Sequence, residues 1–184
     1  MPKLILGFVG KLASGKAVCQ QYISNKHDAG SAKFSTALRD ILNRLYLPIS
    51  RENMQNLSLD LRTRFGGDIL AQVITEDVKN NPHEIVVIDG VRRLDDISSL
   101  KNLPNFHLIS IDASPEIRYE RMKLRNENEG DDKKTFTDFE EDGKREAELQ
   151  IPEVMAAAKF NLDNNGTLDQ LYNQIDKILE EIQN

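Results

Sequence analysis

The part of this sequence whose residue types and spacing most clearly indicate chemistry lies near the N-terminus. It reads GKLASGKA, from Gly10 to Ala17, and sets Gly10, Gly15 and Lys16 in a G-x-x-x-x-G-K pattern. The glycines let backbone N–H groups point inward around phosphate oxygens, the next helix adds its positive N-terminal end, and the lysine reaches the terminal phosphates. The sequence therefore predicts a phosphate-binding loop that holds a nucleotide.

The residues that follow Lys16 depart from the usual pattern. That pattern ends in Ser or Thr, whose hydroxyl helps to hold Mg²⁺, whereas this chain has Ala17 and then Val18. Ser14 lies within the loop but outside the usual ligand position. Either water and carboxylates hold the metal here, or magnesium binding is weakened.

A carboxylate that suits this purpose ends a strand further along the chain. IVVID, from Ile85 to Asp89, has four β-branched residues in a row and then an acid, as a Walker-B element has. Asp89 is therefore a candidate to hold Mg²⁺ through water or to orient a phosphate-binding arginine. The alternative is an aspartate that caps the turn after the strand.

The elements that must position these residues follow from apolar periodicity and capping signals. We predict strands at 4–9, 32–35, 85–89 and 106–112, and a weak one within 160–166. We predict helices at 16–26, 36–46, 51–64, 68–80 and 115–126, a short one that ends at 100, one opened by a capping box of Thr137 and Glu140, and a last one opened by Thr167 and Gln170. The polar stretch 126–135 is expected to be a mobile loop.

The alternation of strand and helix, about five times, predicts an α/β fold with one parallel sheet covered by helices on both faces. Such a sheet binds its ligand at the carboxyl ends of the strands. Gly10, Ser35, Asp89 and Asp112 are expected at those ends, so they are expected to converge.

Length and composition limit the class of protein. A chain of 184 residues suits one domain, and its apolar runs are too short for a membrane span. The net charge of −6 argues against broad nucleic-acid binding. The single cysteine, Cys19, is expected in the core and favours a reducing, cytoplasmic compartment. The three histidines, His27, His83 and His107, show no metal-ligand spacing.

Taken together, these segments resemble the P-loop nucleoside monophosphate kinases, and the resemblance covers nearly the whole chain. Adenylate kinases carry G-x-P-G-x-G-K-G-T, for which this chain has GKLASGKAV, with Val18 in place of the threonine. They also carry D-G-F-P-R, whose arginine binds phosphate. Here that segment is DGVRR, from Asp89 to Arg93, so Arg93 matches the arginine and Arg92 replaces the proline.

Other segments extend the resemblance. FSTALRDIL is similar to the first helix of the monophosphate-binding lobe, with Ser35, Thr36 and Arg39 facing the acceptor. EIRYERMKLR resembles the helix that leads into the mobile lid, which implies roles for Arg121 and Arg125 and leaves Arg118 open. Arg145 is a candidate for an arginine that returns from the lid.

Two subfamilies are more similar than adenylate kinase itself. ENMQNLSLDLRTRFG resembles phage-type deoxynucleoside monophosphate kinases, and its matching residues are Gln55, Asp60, Arg62 and Arg64. The C-terminal half resembles dephospho-CoA kinases and an archaeal kinase-like family. Their N-(D/N/S)-G-T-L stretch lies near the adenine, and its counterparts here are Asn165 and Gly166.

The resemblance implies a P-loop αβα sandwich with a central five-stranded parallel sheet, a helical acceptor-binding region at about 36–80 and a lid region at about 118–150. It implies catalytic roles for Lys16, Arg93, Arg121 and Arg125, with Asp89 holding the metal through water. ATP would contact Gly10, Ala13, Ser14, Gly15, Lys16, Ala17, Val18, Asn165 and Gly166. The acceptor would contact Ser35, Arg39, Gln55, Arg92 and Arg93.

The function that follows is Mg²⁺-dependent phosphoryl transfer from ATP to a small phosphorylated acceptor, with a nucleoside or deoxynucleoside monophosphate as the leading class. One alternative is a dephospho-CoA kinase-like activity. Another is a non-catalytic nucleotide-binding protein, which the Ala17-Val18 pair favours. Small nucleotides, rather than nucleic acid or a membrane, are the expected partners of a monomer or homodimer.

Overall fold

Five parallel strands form one sheet in the order β2-β3-β1-β4-β5. A computed structural model gives this arrangement and describes residues 1–125, 131–144 and 149–183. The strands are β1 (Leu4–Val9), β2 (Gly30–Lys33), β3 (Ile85–Asp89), β4 (Phe106–Asp112) and β5 (Phe160–Asp163). β1 is buried along its whole length because it pairs with β3 on one side and β4 on the other.

Helices connect the strands and follow the last one. They are α1 (Lys16–His27), α2 (Phe34–Arg44), α3 (Arg51–Phe65), α4 (Ile69–Lys79), α5 (Leu94–Ile97), α6 (Pro115–Arg125), α7 (Phe136–Asp142), α8 (Ile151–Ala156) and α9 (Leu168–Gln183). Short 3₁₀ turns occupy Leu100–Asn102 and Asp131–Lys133. Among the described helices, none has the length and apolarity needed to cross a bilayer.

Two apolar layers lie on opposite faces of the sheet. Ile5 and Val9 of β1 pack with residues of α2, α4 and α8, while Leu6 and Phe8 pack with residues of α1 and α9. Side chains alternate across a strand, so one strand supplies both layers. The predicted three-layer fold with a five-stranded parallel sheet is confirmed. Cys19 belongs to the second layer as expected, and burial raises the pKa of its thiol to about 12.

The structure moves the predicted boundary between β2 and α2. The prediction placed a strand over 32–35, whereas β2 covers Gly30–Lys33 and α2 begins at Phe34. β2 is an edge strand whose Gly30 and Ala32 face inward, and Phe34 packs into the first apolar layer from the first turn of α2. Ser35 therefore lies in the first turn of a helix, just beyond the strand end where it was expected.

The capping box before α7 uses a different pair from the predicted one. The expected pair was Thr137 and Glu140, but Thr135 Oγ1 accepts from the Asp138 amide at 3.2 Å, and Asp138 Oδ2 accepts from the Thr135 amide at 2.9 Å. The two registers are two residues apart in sequence. Packing decides between them, since this one buries Phe139, whose ring centroid lies 5.8 Å from that of Tyr119 in α6.

Candidate functional site

The phosphate-binding loop leaves the carboxyl end of β1 and needs glycine at two positions. A Cβ on Gly10 would overlap the carbonyl oxygen of Ile111 and lie 2.6 Å from Ser14 Oγ. Gly15 has φ +110°, and a Cβ there would overlap the side-chain nitrogen of Asn164. A cradle that side chains would fill is the shape that phosphate oxygens require, so the loop fits the predicted phosphate site.

The side chain of Lys16 lies along this loop. Its Nζ donates to the carbonyl oxygens of Gly10 at 2.5 Å and of Lys11 at 3.0 Å. The ammonium group is thus held over the loop that the phosphates would occupy. Ala13, within the loop, has φ +60° although it is not glycine, and backbone strain of this kind concentrates at ligand-binding sites.

The phosphate loop offers few side-chain oxygens that could bind Mg²⁺. Ala17 is exposed and offers no hydroxyl, and Val18 packs against the second apolar layer. Asp89 ends β3, opposite Lys33 of β2. Within the described ranges, no three His, Cys, Asp or Glu residues cluster as a metal site. Mg²⁺ commonly keeps several waters and takes one or two carboxylates plus substrate phosphates, so Asp89 alone fits such a site.

Asn164 was not among the predicted site residues, although Asn165 and Gly166 were. It holds the phosphate loop through a hydrogen bond to the loop's backbone. It is 3% exposed, and its side-chain nitrogen donates to the carbonyl oxygen of Ser14 at 2.8 Å. Its own backbone N–H donates to the backbone carbonyl oxygen of Asp112 at 2.8 Å, which joins the end of β5 to the end of β4. A buried asparagine after a predicted strand is a weak signal, and only the fold shows which atoms it meets.

Arg121 reaches the same cluster from α6. Its Nη2 donates to the carbonyl oxygen of Asn164 at 2.9 Å and contacts its Oδ1 at 3.3 Å. Its Nη1 is buried with no hydrogen-bond partner in the described part of the chain. Burial lowers the pKa of the Arg121 guanidinium, which still remains charged at neutral pH. Arg121 thus brings a positive charge to Asn164, the residue that holds the phosphate loop, and this charge suits an anionic ligand.

Arg118, whose role the sequence left open, supports the loop through backbone contacts. It is 8% exposed. Its Nε donates to Ala113 at 3.0 Å and its Nη1 to the carbonyl oxygen of Leu12 at 3.3 Å. The guanidinium carbon lies 5.3 Å from the ring centroid of Phe139. These contacts connect α6 and α7 to the phosphate loop. Arg125 lies exposed at the end of α6, and Arg145 lies outside the described residues.

A second loop, residues 90–93, leaves β3 beside the phosphate loop. β3 is the paired neighbour of β1, with Ile88 opposite Gly7, so both loops start at the same edge of the sheet. Gly90 turns the chain with φ +93°, and Val91 is buried. Arg92 is exposed and Arg93 is half-buried. Arg92 and Arg93, the two predicted acceptor arginines, therefore follow the carboxyl end of β3.

The other predicted acceptor residues lie on α2 and α3. Ser35 is half-buried in the first turn of α2, and Arg39 is exposed one turn later. Gln55 is exposed on α3. Arg62, in contrast, is committed to structure: its Nη2 contacts the carboxylate of Asp96 at 2.6 Å and its Nη1 donates to the carbonyl oxygen of Gly67. It is therefore not a ligand that projects from α3.

The predicted adenine-side residues lie after β5. The side-chain oxygen of Asn165 accepts from the Ser114 amide at 2.8 Å, and Gly166 is exposed beside Gln170. Asn165 and Lys11 help to line an open cavity of about 460 Å³ between the phosphate loop and β5. That space adjoins the loop, as a site for the remainder of a nucleotide must.

Solved structures with this fold include a shikimate kinase and a gluconokinase. Shikimate kinase from Bacteroides thetaiotaomicron aligns with a TM-score of 0.63 at 12% identity, over 98% of this chain and 99% of that one. A gluconokinase from Sinorhizobium meliloti aligns with a TM-score of 0.57 at 12% identity, over 98% and 96%. At this identity the likeness shows only that the chain shares the fold of these two kinases.

Similarity in sequence identifies the family of the chain, which the shared fold does not. No protein-family model matches the chain. The chain is 29% identical over 183 residues to a UPF0200 protein of Methanocaldococcus jannaschii, covering 98% of this chain and 91% of that protein. It is 30% identical over 151 residues to the UPF0200 protein of Pyrococcus abyssi, covering 79% and 80%. The chain belongs to the UPF0200 family.

Proposed function

We propose that this protein transfers the terminal phosphoryl group of ATP to a small phosphorylated acceptor, with a nucleoside or deoxynucleoside monophosphate as the leading class. The observation that carries the proposal is that two loops follow neighbouring paired strands and start at the same edge of the sheet. The phosphate loop with Lys16 follows β1, and the loop with Arg92 and Arg93 follows the neighbouring strand β3. A protein that only binds ATP does not need the second loop.

On the donor side, Lys16 and the loop amides would hold the β- and γ-phosphates of ATP. Lys16 already lies over the loop, 2.5 Å from the Gly10 carbonyl oxygen, and would exchange this contact for phosphate oxygens. Arg121 adds a half-buried positive charge whose Nη1 has no protein partner among the described residues. Asn165 and Gly166 would lie near the adenine.

On the acceptor side, Arg93 and Arg92 would grip the acceptor phosphate, because a planar guanidinium donates two parallel hydrogen bonds to oxygen pairs. Ser35, Arg39 and Gln55 would contact the rest of the acceptor from α2 and α3. In this proposal the helical region at about 36–80 forms the acceptor lobe. The region at about 118–150, whose described parts are 118–125, 131–144 and 149–150, would supply the lid.

The chemical step needs positioning and positive charge more than covalent help. An acceptor phosphate oxygen attacks the γ-phosphorus, the bond from that phosphorus to the bridging oxygen breaks, and ADP leaves. Lys16, Arg93 and Arg121 would balance the charge that develops on the transferring group. Asp89 would hold Mg²⁺ through water, and the bound ion would neutralise further charge on the phosphate oxygens.

A second candidate function is nucleotide binding without transfer. It rests on Ala17 and Val18, which leave the loop without the hydroxyl that usually helps to hold Mg²⁺. Under this alternative the protein binds ATP, and the 90–93 loop does not take an acceptor. A dephospho-CoA acceptor remains the alternative within the kinase class.

The test is a coupled assay of ADP release with Mg-ATP against ribo- and deoxynucleoside monophosphates and dephospho-CoA. We expect release that depends on one acceptor class and disappears in Lys16→Ala. Lys79→Ala, on the surface of α4 and paired with Glu76, serves as the matched control and should behave as wild type. Folded protein that binds ATP and releases no ADP with any acceptor would favour the non-catalytic alternative.

A further inference from the structure

Asp96 is a buried carboxylate beside the loop that carries the acceptor arginines. It lies in the first turn of α5 and is 2% exposed. Its Oδ2 accepts from the backbone N–H of Arg92 at 2.9 Å and of Arg93 at 3.0 Å. Its Oδ1 contacts Nη2 of Arg62 at 2.6 Å. The Asp96 side chain thus contacts the backbone of both arginines and also Arg62 of helix α3.

The partner of Asp96 is equally committed. The side chains of Arg62 and Asp96 are 11% and 3% exposed, so the ion pair is largely removed from water. Arg62 also donates to the carbonyl oxygen of Gly67, in the turn between α3 and α4. A buried ion pair costs desolvation that its attraction only partly returns. Stability alone is therefore a weak reason for the pair.

Asp96 acts on Arg92 and Arg93 through their backbone. The loop is fixed before these residues by Val91, which is 2% exposed, and at these residues by the hydrogen bonds that their two backbone N–H groups donate to Asp96. Since the Cα–Cβ direction follows the backbone, fixing the two amide groups sets the direction in which each arginine leaves the chain. The side chain of Arg92 is exposed and that of Arg93 is half-buried.

We propose that Asp96 is a positioning residue, which orients Arg92 and Arg93 toward the acceptor phosphate and joins their loop to α3 through Arg62. This inference rests on the proposed function, because it assigns the acceptor side of that site. The ion pair makes the position of α3, which carries Gln55, and the position of the arginine loop depend on each other.

A simpler role for Asp96 is that of an acid in the first turn of a short helix, where it satisfies N–H groups and favours the positive helix end. That role predicts a loss of stability and no selective effect on either substrate. Positioning predicts a selective effect on the acceptor. The kinetic constants for the two substrates therefore separate the two roles.

The experiment compares Asp96→Asn with Asp95→Asn, since Asp95 is the exposed neighbour in the same helix turn. For Asp96→Asn we expect the KM for the acceptor to rise about tenfold, while the KM for ATP changes less than about twofold. Asp96→Glu, which keeps the charge, should recover part of the loss. Asp95→Asn should match wild type.

Because Asp96→Asn leaves Arg62 buried without a counter-charge, it can fail to fold. The double variant Arg62→Met/Asp96→Asn removes that charge and keeps the test possible, and we expect the same rise in acceptor KM. A stable variant of either kind whose acceptor KM and ATP KM both equal those of wild type would overturn the positioning role. Equal changes in both constants would overturn it as well.

Direct titration of nucleoside monophosphates by calorimetry separates this inference from the proposed function. If wild-type protein binds a monophosphate without transferring phosphate, the transfer proposal fails. Weaker monophosphate binding in Asp96→Asn then still supports positioning. If wild-type protein binds none of the monophosphates, Arg92 and Arg93 have no acceptor phosphate to meet, and the inference fails too.

Discussion

The side-chain nitrogen of Asn164 donates a hydrogen bond of 2.8 Å to the backbone carbonyl of Ser14, across 150 positions of sequence. Asn164 also accepts from Arg121 through its backbone and side-chain oxygens. It therefore joins the phosphate loop, the end of β5 and helix α6 at one point. The loop's shape depends on residues from both ends of the chain.

Asn164→Ala should weaken the phosphate loop. Ser14 is 0% exposed, so its carbonyl would lose a hydrogen bond that water cannot replace, at a cost of about 1–3 kcal/mol in the free energy of unfolding. We expect that loss in urea unfolding, together with weaker ATP binding by calorimetry. Asn173→Ala, on the exposed side of α9, is the control. ATP affinity unchanged in Asn164→Ala would contradict a role for this contact in the site.

Gly15→Ala should cost more than an ordinary glycine substitution. The residue has φ +110°, and the added Cβ would overlap the side-chain nitrogen of Asn164. Backbone strain of this kind costs about 1–3 kcal/mol, and the overlap adds to it. We expect a lower free energy of unfolding and loss of ATP binding.

The double variant Gly15→Ala/Asn164→Ala tests the source of that cost. It removes the overlap and leaves the backbone strain, so it should be less destabilised than the sum of the two single variants. Gly143→Ala is the control, because Gly143 has φ −68° and its Cβ would lie 3.3 Å from the nearest atom, a backbone oxygen. Strict additivity would show that the two residues do not clash.

Arg93→Ala should mainly impair use of the acceptor. Arg93 is half-buried in the 90–93 loop, whereas Arg92 is exposed, so the first is better placed to hold a phosphate away from water. We expect the acceptor KM to rise about tenfold or more, a free-energy loss of about 1.4 kcal/mol. Steady-state kinetics with each substrate varied would measure it. If Arg92→Ala shows the larger effect, Arg92 takes that place.

Acid should weaken the contact between α1 and α9. Burial raises the pKa of Asp176, but hydrogen bonds from Lys26 and Tyr22 outweigh it and hold the pKa below its ordinary value. A lowered pKa means that the carboxylate stabilises the fold above pH 3.8, its ordinary value, and that this contribution is lost as the pH falls through the lower folded value.

Asp176→Asn should therefore lower Tm at pH 7 by about 2 °C. The difference in Tm from wild type should shrink as the pH falls toward the pKa of the Asp176 carboxyl in the folded protein. Differential scanning calorimetry across this range measures both effects. Glu181→Gln, exposed on the same helix, is the control. A difference that stays constant with pH would show that the charge of Asp176 is not its cause.

The predicted elements held where a single local pattern sufficed. IVVID is a strand because β-branched residues run together, and the last helix begins at its capping box, where the Thr167 amide donates to Gln170 Oε1 at 2.9 Å. The α7 start was wrong by two residues because two overlapping capping boxes satisfy the same local rule. The packing of Phe139 against Tyr119 chooses between them.

A phosphate loop in a parallel α/β sheet can be predicted from the amino-acid sequence, because glycine spacing and apolar runs act over a few residues. Only the three-dimensional structure shows that Asn164 holds Ser14 and that Arg62 pairs with Asp96 instead of facing a ligand. Such choices depend on which carbonyls and charges become buried together. Their partners lie 34 and 150 positions apart, beyond the reach of any local pattern.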